Sequence, residues 1–296
     1  MKLSDIRSTL QEIQVSPVKT LGQNFLHDQN LARWIVDQAQ VTSDDYVLEI
    51  GPGLGALTKF LLEKGARVLA IEKDTRLANF LRDRFSREPL EVLNIDALKF
   101  DARILFSHQR VKLLGNLPYN ISSALVLKFL AYPSPISLWL FTLQKEMAMR
   151  LSAKPSTHDY GALTLRIQLR HHVKYLRTVA AAVFFPRPNV DSAVLRLSPR
   201  DPQELPPHNE ELLLKLIRLG FSQRRKQLRK LLRERVDDWD AISKHLNIDP
   251  KVRAEELSLL QWIALANFIA PFTSSFSTRQ AKFICSNGRA GKIGIL

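Results

Sequence analysis

The segment from Gly115 to Asn120 combines an amide side chain, a proline and an aromatic ring at the end of an apolar run. An amino group on an aromatic base is a weak nucleophile, because its lone pair is delocalised into the ring. Acceptors around the amino protons return electron density to the nitrogen, and the Asn116 side-chain oxygen and the carbonyl of Leu117 or Pro118 are suitable acceptors. Tyr119 offers a ring on which the base can stack. The segment therefore predicts a site that activates the amino group of a base such as adenine.

The alternative is a structural turn punctuated by Pro118 and Asn120. Methylation at carbon 5 of a pyrimidine is disfavoured, because it needs a thiolate nucleophile. Cys285, the single cysteine of the chain, lies near the carboxyl terminus. One cysteine also excludes an intramolecular disulfide and a multi-cysteine zinc site, and we expect no metal.

A glycine-rich turn at residues 49–55, EIGPGLG, predicts a cofactor site where a strand passes into a helix. Backbone at Gly51 can approach a ligand closely, and Glu72 at the end of the next strand can accept both hydroxyls of a ribose. Asp96 can accept from an adenine amino group, or it can simply cap the helical turn that starts at Ala97. The glycine spacing is G-x-G-x-G instead of G-x-G-x-x-G, which disfavours a nicotinamide dinucleotide. The geometry suits an adenosine-bearing cofactor, and the alternative is a glycine turn with only a structural role.

Alternating elements must position these residues. A strand, helix, strand unit from Asp44 is followed by apolar runs near Asp96 and Asn116, a strand at Ile136–Leu143, and an alternating strand at Val190–Leu197. This order predicts an α/β fold built on an open sheet. Helical spacing from Glu210 to about Ala270 predicts a small all-α domain after a proline-rich linker. We predict a catalytic domain at residues 1–200, a helical domain at 201–270 and a flexible tail at 271–296.

Net charge is typical of a protein with a polyanionic partner, and the alternatives for it are solubility and an acidic membrane surface. The 296 residues include 43 Lys and Arg and 29 Asp and Glu, giving a formal charge of +14. No apolar run is long enough for a membrane span, and the first residues lack a secretory apolar region, so we expect a cytoplasmic protein without membrane contact.

One basic segment carries much of this charge. Residues 211–235 contain nine Lys or Arg and two acidic residues, with leucines at helical spacing. A solvated helix face is the ordinary explanation of such a run, but its density favours contact with phosphates. The residues that we expect to bind RNA are Arg224, Arg225, Lys226, Arg229 and Lys230. Further cations, Arg166, Arg170, Lys174 and Arg177, surround His171 and His172 and extend the basic surface.

Four motifs in order resemble the ribosomal RNA adenine dimethyltransferases, and among them the bacterial small-subunit enzymes. They are LGQNFL at 21–26, EIGPGLGALT at 49–58, NLPYNISS at 116–123 and VFFPRPNVDSAV at 183–194. FSQRRKQLRKLL at 221–232 extends the resemblance into the helical domain. Thr20 and Leu21 depart from the basic residue and the aromatic that the family usually has before Gly22.

The resemblance implies a Rossmann-like methyltransferase sheet that binds S-adenosylmethionine, followed by the all-α domain. The cofactor residues that it implies are Asn24, Leu26, Gly51, Glu72, Asp96 and Asn116. The residues that it implies around the target adenine are Asn116, Leu117, Pro118 and Tyr119, with Phe185 as a second stacking face.

The resemblance also implies the reaction and the partner. The expected activity is dimethylation of the 6-amino groups of two adjacent adenosines, in a hairpin loop near the 3′ end of small-subunit rRNA. The expected partner is a partly assembled ribosomal subunit, bound by a monomer. Three alternatives stay open: a large-subunit rRNA methyltransferase, a DNA adenine methyltransferase, and a ribosome-assembly factor that binds without catalysis.

Overall fold

The computed structural model describes residues 2–17, 22–108, 111–131, 133–236 and 238–270. The chain divides into two compact units between Pro202 and Gln203. The expected tail at 271–296, together with Thr20, Leu21 and Cys285, lies outside the described residues. None of the described helices is long and apolar enough to cross a membrane.

The first unit is built on a seven-stranded sheet with the strand order β4-β3-β2-β5-β6-β9-β7. Its strands are β2 (Tyr46–Ile50), β3 (Arg67–Ile71), β4 (Leu90–Leu93), β5 (Val111–Asn116), β6 (Ile136–Gln144), β7 (His171–Val179) and β9 (Ser192–Pro199). The strands from β4 to β6 are parallel, and β9 pairs antiparallel with both β6 and β7. Two short strands, β1 (Phe25–Leu26) and β8 (Phe184–Phe185), form a separate antiparallel pair.

Helices of the first unit cover the sheet. They are α1 (Leu3–Glu12), α2 (Gln29–Gln38), α3 (Thr58–Glu63), α4 (Thr75–Arg84), α5 (Ser122–Phe129), α6 (Lys145–Ser152) and α7 (Ala162–Gln168). Successive strand residues point to opposite faces, so Val47 packs with α2 and α3, while Leu48 packs with α5 and α6. Because both faces are buried, the parallel strands are almost continuously apolar in sequence.

The observed elements differ from the expected ones at three places. Asp96 lies three residues beyond the end of β4, in the loop that follows it. The last predicted strand, Val190–Leu197, begins and ends two residues later, as β9. Strand β7 was not predicted, because a bulge between Tyr175 and Arg177 breaks its alternation.

The second unit is helical, as predicted. Its helices are α8 (Glu210–Gly220), α9 (Leu228–Leu231), α10 (Trp239–Leu246) and α11 (Leu259–Ile269). Trp262 is fully buried in its core, and a Cβ at Gly220 would lie 2.5 Å from the Trp262 ring. The basic segment is less regular than its leucine spacing suggests, since residues 221–227 form turns before the single helical turn of α9.

Candidate active site

One cavity of about 220 Å³ lies at the carboxyl ends of the parallel strands of the first unit. Ligands bind at this edge in open α/β sheets, because the loops after the strands converge there. The six residues expected to bind the cofactor all line this cavity: Asn24, Leu26, Gly51, Glu72, Asp96 and Asn116. Among the residues expected around the substrate base, Asn116 and Pro118 line it, whereas Leu117, Tyr119 and Phe185 do not.

The glycine-rich turn forms one wall of the cavity. Gly51 and Gly53 have φ values of 67° and 58°, in the left-handed region that glycine adopts without steric strain. A Cβ at Gly51 would lie 3.7 Å from the Asn116 carbonyl oxygen, in the space between the glycine-rich turn and the loop after β5. Glycine at this position therefore leaves room for a ligand to pass over the turn.

Glu72 is fixed by the backbone around it. One of its carboxylate oxygens accepts from the Gly53 amide at 3.2 Å, and the other accepts from the Asp74 amide at 2.9 Å. Burial raises the pKa of the Glu72 carboxyl, because the charged form loses water, although these backbone donors partly offset the effect. A carboxylate has further lone pairs, so this fixed group can still accept from two ribose hydroxyls.

Asp96 caps the turn that follows it, and its second carboxylate oxygen pairs with a lysine. Its Oδ1 accepts from the Leu98 amide at 2.9 Å, as a cap does, and its Oδ2 lies 2.8 Å from Lys73 Nζ. The hydrogen bond from Lys73 lowers the pKa of Asp96, so the group is a carboxylate acceptor at neutral pH. Its neighbours Ile95 and Ala97 also line the cavity and give an apolar surface beside this acceptor. This combination suits the ring and the amino group of an adenine.

Glu49 is a buried carboxyl in the cavity wall, and our sequence interpretation gave it no role. It is 1% exposed, and one of its oxygens accepts from Thr58 Oγ1 at 2.7 Å. Burial raises its pKa to about 7, the Thr58 bond opposes this shift, and the negative charge of Glu72 adds to it. The signal for it was the acidic residue that begins the EIGPGLG segment. Two acidic groups in one wall favour a positively charged ligand over a neutral one.

Asn116, in the cavity wall, joins the loop after β5 to the loop before β1. Its Nδ2 donates to the Asn24 carbonyl oxygen at 2.9 Å, which leaves Oδ1 as the acceptor of the same amide. Asn24 in turn donates its Nδ2 to the Gly22 carbonyl oxygen at 3.1 Å. Gly22 lies close to the loop after β5, since a Cβ there would lie 2.9 Å from Asn120 Oδ1 and 3.0 Å from Pro118 Cβ.

The backbone after Asn116 shows which carbonyl suits a second amino proton. The Pro118 carbonyl accepts from the Ile121 amide at 3.2 Å, and the Leu117 amide donates to the Thr142 carbonyl at 3.1 Å. These bonds fix the loop and engage one lone pair of the Pro118 carbonyl, so the Leu117 carbonyl is the less engaged of the two candidate acceptors. Tyr119 is anchored by a hydrogen bond between its hydroxyl and Ser192 Oγ, and burial raises its pKa, so its ring is held as a neutral phenol.

Phe185 lies apart from the cavity lining. It pairs with Phe25 in the β1–β8 ladder, and the Arg7 guanidinium carbon lies 5.1 Å from its ring centroid. Phe185 packs against the same apolar cluster as Ile6 and Leu10 of α1. One face of this ring therefore already carries a cation, which limits the surface open to a base.

Several further residues line the cavity although the sequence interpretation did not name them for it. They are Gln23, Lys73, Ile95, Leu77 and Ile121. Lys73 and Ile95 are direct neighbours of Glu72 and Asp96, so only their proximity to those two residues could have indicated them.

The five basic residues expected to bind RNA are all exposed in the second unit. Arg224 forms an ion pair with Glu255 at 2.7 Å, and Arg229 lies 3.9 Å from Asp240. Arg225, Lys226 and Lys230 form no ion pair with the described residues, so their charges are the more available ones. Among the residues that the structure describes, no cluster of His, Cys, Asp or Glu is placed to hold a metal ion.

Known proteins share this fold and these motifs. The family model of ribosomal RNA adenine dimethylases matches residues 17–271. A protein of Aromatoleum aromaticum named ribosomal RNA small subunit methyltransferase A is 40% identical over 85% of this chain and 94% of its own length. A protein of the same name from Geobacillus thermodenitrificans is 36% identical over 86% and 91%.

Solved structures give the same result for the fold. The 23S rRNA methyltransferase ErmE is 29% identical with a TM-score of 0.70, over 83% of this chain and 99% of its own. A dimethyladenosine transferase from Plasmodium falciparum is 26% identical with a TM-score of 0.70, over 83% and 98%. The family match includes the glycine turn, the helical unit and the loop at residues 116–120, which we call the acceptor loop. This chain therefore belongs to the ribosomal RNA adenine dimethylase family.

Proposed function

We propose that this protein dimethylates the 6-amino groups of two adjacent adenosines in a hairpin loop near the 3′ end of small-subunit rRNA. S-adenosylmethionine is the methyl donor, and a partly assembled ribosomal subunit in the cytoplasm is the substrate of the monomeric enzyme. The observation that carries the proposal is the cavity in which six residues from five chain segments converge, with the Asn116 amide in its wall. Relatives of this chain that are 36–40% identical are named for the small subunit.

The residues of the cavity fit an adenosine-bearing, cationic ligand. Glu72 provides acceptors for the ribose hydroxyls, and Asp96 provides an acceptor beside the apolar Ile95. The carboxyl groups of Glu49 and Glu72 favour positive charge. When bound, S-adenosylmethionine supplies a methyl group activated by its sulfonium charge.

The acceptor loop prepares the amino group of the target adenine. The hydrogen bond from Nδ2 to the Asn24 carbonyl fixes the orientation of the Asn116 amide. Asn116 Oδ1 and the Leu117 carbonyl then accept hydrogen bonds from the two N–H groups of the adenine amino group. These acceptors restore electron density to the nitrogen, and the Tyr119 ring, anchored on Ser192, supports the base by stacking. The protein contributes alignment and exclusion of water, and each transfer releases one amino proton.

The test is transfer of labelled methyl groups from S-adenosylmethionine to undermethylated small subunits, followed by nucleoside analysis for dimethyladenosine. We expect Asn116→Ala to lose nearly all turnover while it still binds subunits. Asn30→Ala, at an exposed asparagine of α2, is the matched control and should behave as wild type. Dimethyladenosine that persists in Asn116→Ala would overturn the assignment of the loop.

The same assay separates the alternatives. Transfer to large-subunit rRNA but not to small subunits would favour the activity named for ErmE. Preference for naked duplex DNA would indicate a DNA adenine methyltransferase. Tight subunit binding without transfer to any substrate, despite cofactor binding, would favour an assembly factor.

A further inference from the structure

A second basic surface lies on the first unit, at the edge of the sheet. Residues 161–200 contain seven Lys or Arg and one acidic residue, Asp191. β7 is the last strand in the sheet order and pairs only with β9. We call Lys174 and Arg177 of β7 and Arg196 of β9 the edge-strand surface.

The charges of this surface are not compensated. Lys174 lies directly opposite Arg196 in the antiparallel register, and like charges in that position repel each other. None of the three cations forms an ion pair with the described residues, whereas Lys64, Arg103 and Arg150 of the same unit each form one. Asp191, the acidic residue of the segment, accepts from the Ala181 amide instead. An anionic ligand at this sheet edge would reduce the repulsion between Lys174 and Arg196.

Arg177 is held in place for such a ligand. Its guanidinium carbon lies 4.9 Å from the ring centroid of the half-buried Trp34 of α2, and Arg177 itself is exposed. Stacking on a fixed ring reduces the entropy that a long side chain loses on binding, and it leaves the guanidinium donors free to meet an oxyanion.

The position of the surface relates it to the acceptor loop. Val179, at the end of β7, pairs with Ser192, and Ser192 Oγ is the hydrogen-bond partner of the Tyr119 hydroxyl. Arg177 and Lys174 lie two and five residues before Val179. At a rise of about 3.3 Å per residue, Arg177 lies roughly 7 Å and Lys174 roughly 17 Å along β7 from Val179, the residue paired with the serine that anchors Tyr119.

We propose that the edge-strand surface binds the phosphate backbone of the RNA strand that leads to the target adenosine. Such contacts position RNA by charge and shape, without reading its bases. The inference rests on the proposed function, and it adds a contact in the catalytic unit to those expected from the second unit.

The test compares Lys174→Gln/Arg177→Gln with a control that removes two exposed cations elsewhere, Arg67→Gln/Arg87→Gln. Arg67 begins β3 and Arg87 precedes β4, at the opposite edge of the sheet, and neither forms an ion pair with the described residues. Binding to deproteinised small-subunit rRNA is measured across salt concentrations, and melting temperatures verify that both variants fold.

We expect the edge-strand variant to bind about tenfold more weakly near physiological salt, with the slope of log affinity against log salt shallower by about 1 to 2. The KM for RNA should rise, while kcat at saturating RNA stays within about twofold of wild type, because the variant leaves the cavity intact. The control should keep the wild-type slope.

Equal slopes in the two variants would overturn the inference. It would also fail if naked RNA binding were unchanged while binding to intact subunits weakened, since the surface would then contact a ribosomal protein. These outcomes differ from failure of the proposed function, in which wild-type protein transfers no methyl groups while the two slopes still differ.

Discussion

At the residue scale, the buried carboxyl of Glu49 makes stability depend on pH. The folded protein holds the Glu49 proton up to a pKa of about 7, whereas the unfolded chain releases it near 4.5. The folded state therefore gains stability from this group below pH 4.5 and loses that gain as pH rises through 7. Two and a half pKa units correspond to about 3 kcal/mol.

We expect Glu49→Gln to remove this dependence, because the amide is neutral at every pH and keeps an oxygen for the Thr58 hydroxyl. Free energies of unfolding are measured in urea at pH 5 and pH 8. The stability of the variant relative to wild type should be higher at pH 8 than at pH 5. Parallel pH profiles for the two proteins would show that Glu49 titrates normally. Thr58→Ala should raise the pKa further and steepen the wild-type trend.

Two substitutions of Tyr119 distinguish the contribution of its hydroxyl from the contribution of its ring. Tyr119→Phe removes the bond to the fully buried Ser192 but keeps the ring, so we expect a loss of about 1 to 2 kcal/mol in stability and turnover within a few-fold of wild type. Tyr119→Ala removes the stacking surface and should lower turnover by about fivefold to a hundredfold, since such stacking contributes about 1 to 3 kcal/mol.

Kinetics on small subunits and thermal melting measure both Tyr119 variants. Similar turnover in Tyr119→Phe and Tyr119→Ala would mean that the ring does not support the base. A Ser192→Ala variant, which loses the same hydrogen bond from the other side, should resemble Tyr119→Phe.

Single residues show both the reach and the limit of sequence reasoning at the site. Glu72 and Asp96 could be predicted from their places after successive strands, because parallel strands end at one edge. The direction of the Asn116 amide could not, since it depends on the Asn24 carbonyl 92 positions earlier in the chain. The Arg7 contact with Phe185 was equally hidden, because it joins α1 to a strand that is distant in sequence.

At the element scale, the loop before β1 and the loop after β5 form one wall. Gly22 has a φ of 64°, and a Cβ added there would lie 2.9 Å from Asn120 Oδ1 and 3.0 Å from Pro118 Cβ. A side chain there would be strained by its backbone and would displace the acceptor loop.

We expect Gly22→Ala to lower kcat by at least tenfold and to weaken cofactor binding, with a stability loss of about 1 to 2 kcal/mol. Gly161→Ala is the matched control, since nothing lies within 4 Å of its Cβ position and its φ of −167° is extended backbone. Calorimetric titration of cofactor and steady-state kinetics measure the two effects. Gly22→Ala that behaves like Gly161→Ala would mean that the two loops are mechanically independent.

Elements with a regular period were predictable, and elements shaped by their neighbours were not. The strands β2, β3, β5 and β6 follow from apolar runs, because burial on both faces leaves little choice of residue. β7 is bulged and lies at the edge, so its exposed cations hid the pattern of a strand. In the second unit, Leu228 and Leu232 are buried as their spacing indicates, but the turns at 221–227 depend on a bridge between Gln227 and Arg253.

At the scale of the whole molecule, the positive charge is concentrated in two segments. Residues 161–200 carry a net +6 and residues 211–235 a net +7, of +14 for the chain. Composition was compatible with a polyanionic partner, but it could not show which charges are engaged within the protein. Arg224, the first of the predicted RNA contacts, forms an ion pair with Glu255.

We therefore expect Arg225→Glu/Lys226→Glu to weaken subunit binding more than tenfold and to make its salt dependence shallower, with kcat at saturation unchanged. Arg67→Glu/Arg87→Glu is the charge-matched control in the first unit. Arg224→Glu is less informative, because it also breaks the bond to Glu255. Filter binding over a range of salt gives the slopes, and an unchanged slope in Arg225→Glu/Lys226→Glu would remove these residues from the RNA contact.

The wall formed by Gly22, Asn24, Asn116 and Pro118 belongs to the cofactor cavity on one side and to the acceptor loop on the other. Two ligands that order a common wall are thermodynamically linked, so the factor by which cofactor tightens RNA binding equals the factor by which RNA tightens cofactor binding. Dimethylation requires the spent cofactor to leave between transfers. At that moment the RNA loses the affinity that the linkage supplied, and we expect modification to be distributive, with monomethylated adenosine accumulating early in the reaction.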